Sequence, residues 1–211
     1  MRTFWRSALI AVGTVTVFAA PGTAQAPSPE SVLGFAPGAD FHLATYEESV
    51  DYFQRLAAAS DRITMVRTGQ TSEGRDWWIA LISTPENLAQ AESYREIADQ
   101  LAHPAELTDE AARALAVRGK AIVDVNGGLH ASEVAGAQHT IQLAYELVTS
   151  EEPRVAAIRE NVITVLWPSL NPDGQTMIAD WYMSNVGTQF EVAPMPWLYQ
   201  KYVGHDNNRD W

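Results

Sequence analysis

Apolar positions recur along this chain in two different periods. From Thr45 to Ser60, "TYEESVDYFQRLAAAS", Val50, Phe53, Leu56 and Ala57 share one face at helical spacing. Thr45, with Glu48 three residues on, completes a capping box that marks the start of this helix. The period then shortens. Ile63 to Val66 and Trp77 to Ile82, "WWIALI", are rich in β-branched and aromatic residues and predict strands. The joint "TGQTSEGRD" is made of turn formers, so these two strands are expected to form a hairpin or close antiparallel pair. Leu88 to Leu101 and Thr108 to Val117 return to helical spacing, with Asn87 and Thr108 as candidate caps. Ala121 to Val125 is a short strand, Val134 to Val148 a helix, and Pro153 to Glu160 a shorter helix with Pro153 in its first turn. Val162 to Trp167, "VITVLW", is an apolar run of the kind found in a central strand. Strand, helix and strand from 121 to 167 make a βαβ unit, so the fold class is α/β with parallel pairing at least there. From Trp181 to Tyr202 the text is aromatic and proline-containing without a clear period, and a long loop is expected.

The start of the chain has the look of an address. Arg2 and Arg6 precede the 13-residue apolar run Ala8 to Ala20, too short to span a bilayer comfortably, and Gly22-Thr23-Ala24 offers small residues for cleavage after Ala24. Residues 1–24 are therefore expected to be a secretory signal peptide, and residues 25–40, with their prolines, an entry arm. This places the protein outside the cytoplasm, secreted or periplasmic. Twenty-six acids face 14 bases, a net charge of −12, and loss of Arg2 and Arg6 takes it to −14. So acidic a chain lacks the basic face of a nucleic-acid binder and the polybasic patch of a membrane-surface binder. Hydrophobic content of 46% is enough for a real core. Without cysteine the fold has no disulfide, and any metal must be held by nitrogen and oxygen.

"GGLHASE", Gly127 to Glu133, stands where the strand ending at Val125 gives way to a helix. Ligand sites in open α/β sheets gather beyond the carboxyl ends of strands. On a helix, residues three apart lie on one face, so His130 and Glu133 can aim at one point, and an imidazole with a carboxylate suits zinc. Alone, the pair reads as readily as a surface ion pair or a helix-capping glutamate. "NPDG", Asn171 to Gly174, follows the next strand and has the residue order of a β-turn. "GHDNNRDW", Gly204 to Trp211, alone reads as a solvated loop.

Together these stretches resemble the zinc carboxypeptidase family, the carboxypeptidase A-like metallopeptidases. The resemblance covers about residue 41 to the end. It rests on four motifs in the family's order: Gly69, Thr71, Glu73, Gly74 and Arg75 between the first two strands; His130 with Glu133; Asn171 to Gly174; and Asp206, Asn208 and Arg209. It implies a mixed twisted sheet with helices on both faces. It implies one Zn2+, with His130 and Glu133 as two of its ligands and Asp206 behind the imidazole of His130. It also implies that Asn208 and Arg209 clamp the terminal carboxylate of a peptide or protein substrate, making the enzyme an exopeptidase.

The family's third ligand, a histidine, and its general-base glutamate lie downstream of the Asn-Arg stretch, beyond Trp211 here. The expectation is therefore an N-terminal portion of a catalytic domain (residues 41–211), cut before its last strands and helices and inactive alone. Among the other histidines, His139 lies about 240° around a helix from Glu133 and reads as a helix-face residue. His205 reads as shaping the turn of the clamp, and His42 and His103 as exposed. Two departures from the family pattern stand out. Ser132 occupies the place where some members carry arginine, and no arginine lies between Gln175 and Asn208, where Lys201 is the only cation. Two other functions remain open: a zinc-dependent deacylase of N-acyl amino acids on the same fold, or a non-catalytic binder of peptide termini.

Overall fold

The computed structural model describes residues 26–196 of the chain. The expected signal peptide, and Lys201, His205, Asp206, Asn208 and Arg209, lie outside the described residues. Four strands form one sheet in the order β1-β2-β4-β3: β1 Ile63–Gln70, β2 Asp76–Ile82, β3 Ala121–Val125 and β4 Val162–Leu166. β1 and β2 pair antiparallel, as do β2 and β4, while β3 and β4 run parallel. The sheet is thus mixed, and the hairpin, the parallel unit and the interior place of β4 agree with the hydrophobic pattern.

Helices supply the rest of the core. α1 is Pro29–Leu33, α2 Tyr46–Ala59, α3 Pro85–Ala89, α4 Ala91–Ala102, α5 Asp109–Arg118, α6 Ala135–Thr149, α7 Pro153–Asn161 and α8 Pro172–Asn185. The Thr45–Glu48 capping box closes both ways, and α2 buries Val50, Phe53 and Leu56. Phe53 and Leu56 join Ile63, Ala80, Ile82 and Leu166 from the sheet and Ile141, Ala144 and Val148 from α6 in one core. Each fully buried Phe, Leu, Ile or Val among them contributes about 1.5–3 kcal/mol of transfer free energy. Ile163 points away from its neighbour Leu166, yet both are buried, so β4 is covered on both faces. β3 contrasts with it: Ile122 and Val123 are exposed.

Several expectations need correction. The helix expected over Leu88–Leu101 is two helices, with Gln90 as a non-helical joint at φ −110° and ψ 9°. Thr84, not Asn87, caps the first of them; Asn87 is buried and its Nδ2 donates to Ser83 Oγ and to the Arg159 and Glu160 carbonyls. The loop expected from Trp181 begins later, because α8 runs on to Asn185. The entry arm contains α1, capped by Ser28, and its Val32, Leu33 and Phe35 pack against the core. Tyr52 Oη donates to the Pro27 carbonyl at 3.3 Å. These short segments have too few residues for a period to show, and tertiary burial decides them.

Segments far apart in sequence are sewn together at Ala44. Its N–H donates to Gln138 Oε1 at 2.9 Å, and its carbonyl accepts from Gln138 Nε2 at 2.8 Å and Gln175 Nε2 at 3.1 Å. Those two buried glutamines fix the start of α2 against α6 and α8.

Candidate metal centre

β3 and β4 are parallel neighbours, so the loops that leave their carboxyl ends lie side by side. The first loop carries residues 126–134, the second Trp167 to Asn171. They are joined directly: Trp167 N–H donates to the Val125 carbonyl at 3.0 Å, and Leu170 N–H to the Gly127 carbonyl at 2.7 Å. Trp77 Nε1 donates to the Ser169 carbonyl at 3.1 Å and pins the second loop from β2. The first loop also passes very close to α6. A Cβ on Gly127 would stand 2.4 Å from the Gly136 carbonyl oxygen and 2.3 Å from Thr140 Cγ2, so only glycine fits.

His130 and Glu133 do not share a helix face, as the spacing suggested. They lie in a turn ahead of α6, in which Glu133 N–H donates to the His130 carbonyl at 3.2 Å. The turn brings the two side chains together all the same, because a three-residue separation closes in a tight turn as it does in a helix. His130 Nδ1 stands 3.1 Å from Glu133 Oε2; the imidazole is largely buried at 17% exposure and the carboxylate is 74% exposed. One donor is thus enclosed by the fold and the other faces solvent.

Two donors on one tetrahedral zinc, each about 2.0–2.2 Å from it, stand about 3.3–3.5 Å apart. The pair therefore fits as two ligands once its 3.1 Å spacing widens by a few tenths of an ångström. Among the described residues no group of three or more His, Asp or Glu is placed to hold a metal ion. His42 Nδ1 is bonded to the Asp40 carbonyl, His103 Nδ1 to the Asp99 carbonyl and His139 Nδ1 to the Ala135 carbonyl, each in its own segment.

Asn171 to Gly174 is not a free-standing β-turn. Asn171 caps α8, its Oδ1 accepting from Gly174 N–H at 3.0 Å, and Pro172 takes the first helical position. Asn then Pro suits a helix start as well as a turn, so the sequence did not separate the two. Asp173 carries the interaction that sequence reasoning missed. Its Oδ1 accepts from Thr71 Oγ1 and from Arg75 Nη1, both at 2.8 Å. Arg75 Nε in turn donates to Glu47 Oε1 at 2.6 Å, and Glu47 Oε2 accepts from Thr176 Oγ1 at 2.6 Å. Burial pushes the Glu47 carboxyl up, but the bonds from Thr176 and Arg75 outweigh it and hold the group below the usual carboxylate range. The only sequence signal was an arginine and an aspartate inside two motifs, with no role in either motif alone.

Beside the loop lies a cleft of about 800 Å³, lined by Phe41, Leu43, Ser132, Ile178, Trp181 and Tyr182 among others. Of the paired ligands' loop, it meets Ser132 and Val134 rather than His130 or Glu133.

The zinc carboxypeptidase family model matches residues 49–211. No curated protein matches the chain. Among solved structures, it is similar to carboxypeptidase A from Helicoverpa armigera, at 22% identity over 70% of this chain and 31% of that one, with a TM-score of 0.46. It is also similar to thrombin-activatable fibrinolysis inhibitor, at 11% identity over 71% of this chain and 31% of that one, TM-score 0.45. Bovine thrombin-activatable fibrinolysis inhibitor, solved with tick carboxypeptidase inhibitor, matches at 10% identity over 64% of this chain and 33% of that one, TM-score 0.41. The chain spans about a third of the length of these structures. The family match takes in all four motifs, from Gly69 to Arg209, and the chain belongs to the zinc carboxypeptidase family.

Proposed function

We propose that the protein is an exported zinc metallocarboxypeptidase that removes residues from the C-termini of peptides. The observation that carries this reading is the His130 Nδ1 to Glu133 Oε2 approach of 3.1 Å, at the carboxyl ends of two parallel strands, within the family match. His130 and Glu133 would hold the metal together with a third donor from outside the described residues. A bound zinc supplies Lewis-acid polarisation of a carbonyl and a water of lowered pKa. The largely buried imidazole would set the position of the site, and the exposed carboxylate beside it would supply the second donor. Asp206 orients the imidazole of His130 and fixes its tautomer. Arg209 grips the substrate's terminal carboxylate through two parallel hydrogen bonds and Asn208 adds a donor, which restricts cleavage to chain ends. The early apolar run and cleavage-suited residues support export. Among the described residues no helix is long and apolar enough to cross a membrane.

The test is zinc content and release of the C-terminal residue from peptides by the full-length protein and by His130→Ala. Loss of a ligand is expected to weaken zinc binding by more than the roughly 10–100-fold of a supporting residue, and turnover should go with it. Equal zinc content and equal turnover in the two proteins would overturn the reading. A panel of N-acyl amino acids run beside the peptides separates a deacylase from a peptidase, since both substrates present a carboxylate to Arg209.

A further inference from the structure

The first turn of α8 is held from two sides. On one side Asp173 and Thr176, three residues apart, face a single arginine and the carboxylate it binds. Arg75 bridges the helix to α2 through two different nitrogens, Nη1 to Asp173 and Nε to Glu47, and Glu47 returns to α8 through Thr176. Thr71 closes the ring: its hydroxyl donates to Asp173 and accepts from Arg75 N–H at 3.1 Å. The Asp173 carboxylate is 15% exposed and the Arg75 side chain 27%. On its other side the same turn lies against the loop of the metal pair. Asn171 Nδ2 reaches the Leu129 carbonyl at 3.4 Å, and a Cβ on Gly174 would stand 2.7 Å from Ala131 Cβ. There is no room between α8 and the residues either side of His130.

We propose that Arg75 and Asp173 are positioning residues for the His130–Glu133 pair: a latch that fixes the first turn of α8 in place, so that the wall it offers to the loop sets the position of the imidazole. The proposal rests on the metal-site reading above and adds to it residues that touch neither metal nor substrate. The geometry explains why arginine is needed. Its planar fork reaches two carboxylates at once in fixed directions, whereas a lysine ammonium is one flexible point charge. Without the guanidinium, Glu47 on α2 and Asp173 on α8 are left as neighbouring like charges, the first turn of α8 loses its fixed place, and the loop packed against it shifts with it. A displacement of about 1 Å at a reacting centre costs on the order of 100-fold in rate, so a small opening of the latch is felt at the pair.

The experiment compares the full-length protein with Asp173→Asn and Arg75→Lys by Co2+ titration, read through the visible absorption of the bound ion, and by amide hydrogen exchange. The expected result is a Co2+ affinity lowered about ten-fold, at the low end of what supporting residues do. Faster exchange confined to the loop of residues 126–134 and the first turn of α8 should accompany it. Unchanged Co2+ affinity and unchanged loop protection would overturn the proposal, as would a uniform acceleration of exchange across all helices, which marks a purely stabilising ion pair. If Asp173→Asn does not fold, Arg75→Lys decides by the same two readouts. If the unsubstituted protein takes up no Co2+, the metal reading fails, and the exchange pattern alone then decides the latch: loop-confined loss supports it and retained protection sinks it.

Discussion

The two ends of α6 are fastened by different chemistry. Its C-terminal end is held by Arg159, which is 3% exposed and donates through Nη1 to the Leu147 and Ser150 carbonyls at 2.9 and 2.6 Å. Arg62 adds a bond to the Val148 carbonyl, and Glu151 accepts from both arginines. Burial and the neighbouring Arg62 lower the pKa of Arg159, but arginine keeps its proton regardless. The N-terminal end has no side-chain cap at all. It is held through close packing at Gly127 and, one step removed, through the Arg75 latch on α8. A buried arginine on backbone carbonyls satisfies groups that any helix end leaves over. An arginine between two carboxylates fixes one element against another. The first is expected to show in stability, the second in the geometry of the site.

The strongest test of this contrast is Gly127→Ala. The new methyl group would meet the backbone oxygen of Gly136, which cannot swing aside as a side chain can. A loss of about 3 kcal/mol or more is expected, measured by denaturant melts; a change under about 1 kcal/mol would mean that the loop is not clamped to α6. Next, Arg159→Ala leaves two carbonyls without their donor and is expected to cost about 2–4 kcal/mol. That corresponds to a fall in Tm of roughly 5–15 °C, with Co2+ affinity unchanged. A variant that kept its Tm but lost metal would reverse the comparison.

Smaller still is the effect of Glu47→Gln. The Glu47 side chain is 55% exposed, so solvent screens it and the stabilisation is under about 1 kcal/mol. Its folded pKa is depressed, so the stabilisation is fully present above the ordinary glutamate value of about 4.3 and is lost as pH falls through the lower folded value. Melts from pH 7 down to pH 3 should therefore show wild type and Glu47→Gln differing at neutral pH and converging in acid. A gap that persists unchanged at pH 3 would remove Glu47 from the latch.

The long periodic segments were legible from the residues alone. Thr45 and Glu48 announced α2, and "VITVLW" announced an interior strand. What failed were features whose residues serve two structures equally. Asn171-Pro172 suits a turn or a helix start. The absence of period after Trp181 hid the last turn of α8, where Trp181 and Tyr182 line a cleft rather than a core stripe. The candidate site was half legible. Residue type and spacing offered His130 and Glu133, and the order of the four motifs singled them out, but neither showed the turn that joins them.

By itself, then, the sequence determined the long periodic helices and the strands, the faces they bury, and two side chains with the chemistry of a metal pair, because these follow from local periodicity and donor type. Only the tertiary structure decided that Arg75 and Asp173, 98 residues apart, share a bond, that α8 begins at Pro172, and that its first turn abuts the loop of His130. A charge on a flexible side chain has many potential partners within its reach, and only the packing of β1, β2, α2 and α8 leaves one arrangement in which both carboxylates and the guanidinium are satisfied together.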